Sequence, residues 1–97
     1  MGANHDDLLD RRVRLPSHVV YRAFAHETVV VNLERGVYHG LNPTAGRMLE
    51  ALERAPTIRD AAARLEQELG QPSTVIEADL AAFCRDLADR GLIEFAS

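Results

Sequence analysis

Few residues of this 97-residue chain could carry out catalysis. A thiol nucleophile needs a histidine to take its proton and often a carboxylate to orient that histidine. Cys84 is the single cysteine, and no histidine and aspartate accompany it at a spacing that suggests such a triad. Gly-rich phosphate loops, Gly-x-Ser-x-Gly and His-Glu-x-x-His are absent as well. We therefore predict that Cys84 is a small, half-buried packing residue and that the protein is not an enzyme.

Metal or cofactor binding is not predicted from the sequence either. Zinc sites in proteins gather histidine, cysteine or carboxylate ligands at short, recurring spacings. The histidines of this chain are scattered and do not combine with cysteine or carboxylate at such spacings. We therefore expect no metal and no cofactor. The four histidines are His5, His18, His26 and His39.

Charge and apolar patterning restrict the partners and the compartment. The formal net charge of −4 argues against a surface built to hold the phosphates of nucleic acid. The N-terminal sequence MGANHDDLLDRR lacks the apolar run of a signal peptide, and no stretch approaches the roughly 20 apolar residues of a membrane span. A single cysteine cannot form an internal disulfide and so requires no oxidising compartment. We expect a cytoplasmic protein with no membrane or nucleic-acid partner.

The elements that would position a binding site begin with three predicted strands. Val19–Phe24 and Thr28–Leu33 are rich in β-branched and aromatic residues, and Val37–Leu41 continues this pattern. The residues between the second and third strands fit a short hairpin loop, in which Gly36 supplies a positive φ. The second strand alternates between two faces, one with Val29, Val31 and Leu33 and the other with Thr28, Val30 and Asn32.

Three helices are predicted to follow the strands. Asn42-Pro43 supplies a cap and a first helical residue, and that helix runs to about Arg54. Thr57 is expected to open the second helix, and Thr74 to Glu77 fits a capping box for the third. Residues at spacings of four, three and four predict the buried stripe of the third helix. That stripe consists of Ile76, Leu80, Phe83 and Leu87.

This order predicts an α+β fold with a three-stranded antiparallel sheet followed by three helices. Residues 1–12 carry little apolar content and are predicted to form a flexible N-terminal arm, on which Leu8 and Leu9 offer a docking point. Residues 13–97 are predicted to form a single domain.

The third strand is expected to leave one edge open, because no strand pattern follows it in the sequence. An open edge beside a helix can bind an extended peptide as an added strand. Small residues on one flank of the third helix are expected to leave a groove for side chains of that peptide. The predicted peptide-binding residues are Val37, Tyr38, His39 and Gly40 on the strand and Ala81, Cys84, Arg85 and Ala88 on the helix. Proline at Val37 or His39 is expected to weaken binding by removing an edge donor or by distorting the strand.

Three segments together resemble the PqqD-like proteins, also called RiPP recognition elements. The run VVVNLERGVYHGLNPTAGRMLEAL is similar to the hairpin and first helix of that family. The resemblance continues through TIRDAAARLEQELG and ends in DLAAFCRDLADRGLIE, so that it covers about Val19 to Glu94. Among subtypes, the hairpin running into Leu-Asn-Pro is most like the stand-alone recognition proteins of lasso-peptide pathways.

The resemblance implies a winged-helix-like domain that binds the leader segment of a ribosomally synthesised precursor peptide. In that family the leader adds as an antiparallel strand to the third strand and lies against the third helix. A leader peptidase or another modifying enzyme is the implied partner, and the domain itself performs no chemistry.

Two other functions remain open at this point. A winged-helix DNA-binding regulator has a compatible order of elements, although its recognition helix would be expected to carry basic and amide side chains toward the groove. Here the second helix carries Arg59 and Arg64 against Asp60, Glu66 and Glu68. The other possibility is a peptide chaperone of the pyrroloquinoline-quinone type that works with a radical SAM enzyme. This chain lacks the Pro-Glu pair usual in the strand region of that type.

Overall fold

The computed structural model describes residues 8–96, and these contain the predicted sheet and helices. In chain order the elements are β1 (Arg12–Arg14), β2 (Val19–Ala23), β3 (Thr28–Asn32), β4 (Val37–Leu41), α1 (Pro43–Arg54), α2 (Ile58–Leu69), α3 (Ser73–Asp89) and β5 (Glu94–Ala96). The α+β class with a three-stranded antiparallel sheet before three helices is thereby confirmed.

The main sheet has the strand order β2-β3-β4, with both neighbouring pairs antiparallel. In β3, Thr28, Val30 and Asn32 are buried beneath the helices, whereas the alternate residues are half-buried on the opposite face. The predicted alternation of β3 is therefore confirmed. We call the surface opposite the helices the outer face of the sheet. Gly36 closes the hairpin between β3 and β4 with φ +69°, as predicted.

A second sheet, made of β1 and β5, was not predicted. It pairs Val13 with Phe95, and the Val13 side chain is buried. An ion pair between Arg14 and Glu94 joins the two strands. Each strand has only three residues, which is too short for alternation to be recognised in a sequence.

The predicted N-terminal arm falls partly outside the described residues, which exclude positions 1–7. Within the described part, Leu9 is buried in the core. The Arg11 carbonyl accepts a hydrogen bond of 2.9 Å from the Ile58 amide at the start of α2. Residues 9–11 therefore pack against the helices.

Two of the three predicted helix starts are confirmed in detail. The Asn42 side chain accepts a hydrogen bond of 2.8 Å from the Ala45 amide, and the Thr57 hydroxyl accepts one of 3.1 Å from the Asp60 amide. The predicted capping box at Thr74 is wrong, because α3 begins at Ser73 after Pro72. The Pro72 carbonyl accepts hydrogen bonds from the amides of Val75 and Ile76, which starts the helix without a side-chain cap.

The buried face of α3 is rotated from the predicted stripe. Ala81 and Cys84 are completely buried, whereas Phe83 is only half-buried. The prediction that Ala81 and Cys84 line an open groove is therefore wrong. Apolar residues occur almost all around α3, so their spacing did not decide which side faces the core.

α1 approaches β3 closely at Gly46. A Cβ atom added to Gly46 would lie 2.2 Å from the Thr28 Oγ1 atom and 2.9 Å from its Cβ atom. Both residues are buried. Any side chain at position 46 would therefore push α1 away from the sheet.

We expect Gly46→Ala to lower the free energy of unfolding by about 1–2 kcal/mol, because overpacking of about 1–3 kcal/mol outweighs a helix-propensity gain of up to about 1 kcal/mol. Chemical denaturation measures this change. Gly40→Ala is the matched control, since its added Cβ would approach no atom closer than 3.9 Å. In a Thr28→Ala background, which removes the Oγ1 atom, the cost of Gly46→Ala should shrink. Strictly additive effects would contradict this assignment.

Burial also makes Cys84 chemically inert. Desolvation raises the pKa of the Cys84 thiol to about 12, against a weaker opposing effect of the Arg85 charge. The nucleophilic thiolate is therefore scarce at neutral pH and inaccessible as well.

We expect Cys84 in the native protein to react with a thiol reagent at the rate at which local opening of α3 exposes it. In denaturant the reaction should be rapid. Rapid stoichiometric labelling of the folded protein would show that α3 does not bury this residue.

Candidate functional site

The hydrogen bonds of β3 determine which residues of β4 face outward. The Leu33 amide donates to the His18 carbonyl at 2.7 Å, so alternate residues of β3 counted from Leu33 bond to β2. The remaining β3 residues therefore bond to β4, and their partners there are Val37, His39 and Leu41. It follows that Tyr38 and Gly40 direct their N–H and C=O groups away from the sheet.

The open edge of β4 is thus formed by the main chain of Tyr38 and Gly40, both of which are exposed. Val37 and His39, which the sequence also assigned to the edge, direct their main-chain groups toward β3. Proline at Val37 or His39 would remove a hydrogen bond within the sheet, so it would act by distorting the strand and not by removing an edge donor. Gly40 has no side chain over the edge, which leaves its outward groups accessible.

The side chains of β4 divide between two surfaces. Val37, His39 and Leu41 share the side of the buried β3 residues, and Val37 is 46% exposed while the other two are half-buried. Tyr38 lies on the outer face and is 72% exposed. An added strand would therefore find partly apolar side chains toward the helices and an aromatic ring on the other side.

The C-terminal end of α3 lies close to the hairpin at one end of β4. A pocket of about 240 Å³ there is lined by residues of the hairpin and by Ala88 to Gly91. Ala88 is half-buried and Arg85 is exposed, so these two predicted contacts on α3 are accessible. The other two, Ala81 and Cys84, belong to the interior. No pattern in the sequence indicated the polar residues of this pocket.

The opposite edge of the sheet, formed by β2, has a different chemistry. By the same alternation, Tyr21 and Ala23 direct their main-chain groups outward. A groove of about 650 Å³ beside them is lined by Glu50 and Glu53 of α1. The Tyr21 hydroxyl donates a 2.6 Å hydrogen bond to Glu53, and burial together with this carboxylate raises the pKa of Tyr21. The two carboxylates give this groove a polar side, and Leu15, Pro16 and Val19 give it an apolar one.

The outer face of the sheet is an exposed and mostly apolar surface, which also carries the exposed Arg22. Val20, Phe24, Leu33 and Tyr38 are between 47% and 72% exposed, and Val29 and Val31 lie half-buried between them. Part of this surface is a shallow groove of about 370 Å³. Contiguous apolar surfaces of this kind are typical of protein–protein contacts. The run TVVV was the sequence signal for this surface, because consecutive valines make both faces of a strand apolar.

Metal-ligand clusters and membrane-spanning helices are both missing from residues 8–96. No cluster of three or more histidine, cysteine or acidic side chains with metal-binding geometry occurs in this part of the chain. In the same range, none of the helices has both the length and the apolar character needed to cross a membrane.

The chain matches a known protein family over the residues that form most of the sheet and the three helices. The family of coenzyme PQQ synthesis protein D (PqqD) matches residues 27–93. Curated protein sequences contain no significant match.

Two solved structures resemble the chain over most of its length. TbiB1 in complex with the TbiA(beta) leader peptide shares 27% identity and a TM-score of 0.76, covering 84% of this chain and 94% of that chain. Lasso peptide synthetase B1 complexed with the leader peptide shares 25% identity and a TM-score of 0.76, covering 86% and 98%. With a family match over more than half of its residues, this chain belongs to the PqqD family and is a PqqD-like RiPP recognition element.

Proposed function

We propose that this protein binds the leader segment of a ribosomally synthesised precursor peptide as an antiparallel strand along β4. The observation that carries the proposal is the open edge formed by Tyr38 and Gly40, in a chain that resembles two proteins solved with leader peptides. Strand addition draws affinity from main-chain hydrogen bonds and specificity from alternate side chains. Because the precursor is made by ribosomes, binding would take place in the cytoplasm.

Main-chain bonds alone are too weak for this task. Tyr38 and Gly40 each offer one N–H and one C=O group, which allows four main-chain hydrogen bonds to a leader. At about 1.5 kcal/mol each at most, these bonds contribute about 6 kcal/mol to binding. A micromolar dissociation constant requires about 8 kcal/mol, and ordering a flexible peptide costs several kcal/mol more. Apolar side chains of the leader must therefore be buried too, at roughly 1.5–3 kcal/mol each.

The helix side of β4 is where this burial would occur. An added strand points alternate side chains in the same direction as Val37, His39 and Leu41. Val37 leaves 46% of its surface exposed, so apolar contact remains available there. The β2 edge offers Glu50 and Glu53 in the corresponding position, which favours β4 as the leader site.

A modifying enzyme, of the lasso leader-peptidase type, is the second partner in this proposal. The leader would occupy an edge of the sheet and leave the outer face free. That face is apolar and borders the edge through Tyr38, whose main chain belongs to the edge and whose side chain belongs to the face. We assign the outer face to the enzyme, which would thereby be held beside the bound leader.

DNA binding is less well supported. Arg59, one of two arginines on α2, forms an ion pair with Asp10 at 3.2 Å and faces Glu77 at 3.9 Å. A recognition helix needs its basic side chains free to reach phosphates and bases. Arg64, the other arginine, shares a pocket on α1 and α2 with Glu50 and Glu68.

Gly40→Pro should weaken leader binding at least about tenfold, since it removes one outward donor and places a ring on the edge. Fluorescence anisotropy with a labelled TbiA(beta) leader, and with the leader encoded beside this protein's own gene, measures the dissociation constant. Ala23→Pro is the matched control, because it removes an outward amide from the β2 edge. Equal affinities for Gly40→Pro and the unaltered protein would exclude the β4 edge, and selective loss in Ala23→Pro would move the site to β2.

Strand addition also differs from DNA binding in its dependence on salt. Leader affinity should fall only modestly as salt rises, whereas phosphate contacts weaken steeply. Labelled duplex DNA in the same titration serves as the comparison. Salt-sensitive DNA binding without leader binding would replace the proposed function.

Val20→Glu on the outer face should slow leader cleavage by the partner peptidase about tenfold, because docking would bury an added carboxylate. Leader affinity should stay within about twofold of the unaltered protein, since Val20 is two strands from the β4 edge. Ala82→Glu introduces the same charge on an exposed position of α3 and serves as control. Normal cleavage with Val20→Glu would remove the outer face as the docking surface.

A further inference from the structure

The outward residues of β4 are spaced so that this edge is complementary to a second copy of itself. Tyr38 and Gly40 direct their main-chain groups away from the sheet, and His39 lies between them. In an antiparallel pair, only outward residues exchange both hydrogen bonds with the neighbouring strand. When two β4 strands meet around a two-fold axis at His39, Tyr38 of each copy lies opposite Gly40 of the other. This register uses every outward group of both residues and forms four hydrogen bonds.

Other two-fold registers of β4 use fewer of these groups. An axis at Tyr38 sets Gly40 opposite Gly36, which lies beyond the strand and whose amide is already bonded within the hairpin. An axis at Gly40 sets Tyr38 opposite Asn42, whose carbonyl is already bonded at the start of α1. The axis at His39 is therefore the register in which β4 matches itself, as the isologous interface of a two-fold dimer requires.

The side chains also fit in this register. On the outer face, the Tyr38 ring of one copy lies beside Gly40 of the other copy, which has no side chain to displace it. A Cβ atom added to Gly40 would approach no described atom closer than the Glu27 Oε1 atom, at 3.9 Å. A tyrosine ring that crosses Gly40 thus finds open space and brings its hydroxyl donor toward a carboxylate. On the helix side, Val37 of one copy lies opposite Leu41 of the other, which is a favourable apolar pair.

The edge of β4 also lacks the features by which sheet edges avoid such pairing. Charged side chains, proline and β-bulges protect the edges of natural sheets. β4 has the sequence VYHGL, and its residues pair with those of β3 one to one without a bulge. The β2 edge differs, because the corresponding axis would pass Arg22, between Tyr21 and Ala23. Two arginines would then lie directly opposite each other, which is unfavourable.

We propose that the leader-free protein forms a weak two-fold dimer through β4, with His39 at the axis, and that the leader displaces the second copy. Dimer and leader complex use the same main-chain groups of Tyr38 and Gly40, so they exclude each other. The pairing of copies stands on the geometry of β4 alone, whereas displacement by the leader rests on the proposed function. An interface of two five-residue strands is smaller than the roughly 1,200–2,000 Å² of stable complexes, so the copies separate readily.

A disulfide across the axis tests the register. His39→Cys sets two thiols opposite each other, where Cα atoms are about 4.5 Å apart and a disulfide can form. Val37→Cys is the matched control on the same face of the strand, because the register separates its two copies by roughly 13 Å. The native Cys84 is buried and does not compete. Under mild oxidation, His39→Cys should form a covalent dimer at least about tenfold faster than Val37→Cys. Equal rates would overturn the register.

A charge exchange tests the axis without cysteine chemistry. His39→Glu and His39→Lys each set like charges opposite each other in their own dimers, which is destabilising. In a mixture of the two variants, opposite charges meet instead. The association constant of the mixed dimer should therefore exceed that of either variant alone by about fivefold. Analytical ultracentrifugation measures these constants, and equal values would show that position 39 does not face itself.

Leader displacement is measured on the unaltered protein. Its average mass should rise toward twice the monomer value as the concentration approaches about 1 mM. A saturating TbiA(beta) leader, or the leader encoded beside this protein's own gene, should return it to the mass of one chain with one peptide. The same leader should slow disulfide formation in His39→Cys at least about fivefold, because the bound peptide occupies the edge.

The outcomes distinguish this inference from the proposed function. A protein that binds leader but stays monomeric at about 1 mM overturns the dimer and leaves the proposed function standing. A dimer that binds leader without dissociating overturns displacement. If the His39→Cys dimer forms but neither leader binds, the pairing of copies is supported, whereas the proposed function fails and displacement fails with it.

Discussion

Which residues of β3 bond to β2 and which bond to β4 is the constraint on which the other surfaces depend. We call this choice the pairing phase of β3. In an antiparallel strand, successive side chains point to opposite faces of the sheet. The main-chain groups of successive residues point to opposite neighbouring strands, with the same period of two. One choice of phase therefore buries Thr28, Val30 and Asn32 and also turns their main-chain groups toward β4. A shift by one residue would expose the core face of β3 and move the open groups of β4 from Tyr38 and Gly40 to their neighbours.

Two local contacts hold β3 in this phase. At one end Thr28 fits against Gly46 of α1, where no side chain other than hydrogen is accommodated. At the other end the Asn32 side chain accepts hydrogen bonds from the Glu34 and Arg35 amides, at 3.0 and 3.2 Å, and shapes the hairpin. Because β3 is held at both ends, the edge of β4 is presented in a fixed register. A preformed edge lowers the ordering cost of binding, which then falls mainly on the peptide.

Features that depend on nearby residues were predictable from the sequence, and features that depend on distant contacts were not. The caps at Asn42 and Thr57 and the positive φ of Gly36 need only a few neighbouring residues, and all three were predicted. The pairing of β1 with β5 joins residues about 80 positions apart and was missed. The rotation of α3 was missed because its small residues suit either the interior or a groove, and only packing decides. Likewise, the sequence indicated the open edge of β4 but not which of its amides face outward. That choice depends on which residues of β3 bond to β2.

The geometry of Tyr38 relates the two proposed partners to each other. Its main-chain groups lie on the edge where a leader would pair, and its side chain is 72% exposed on the outer face. The leader residue that pairs with Tyr38 would direct its own side chain to the outer face beside the tyrosine ring and so restrict the directions open to that ring. An enzyme that packs against this ring would meet a more ordered surface when the leader is bound, and would lose less side-chain entropy on docking. By linkage, the same contact would strengthen leader binding when the enzyme is present. One residue shared by an edge and a face is thus enough, in physical terms, to couple peptide binding to enzyme docking without any change of fold.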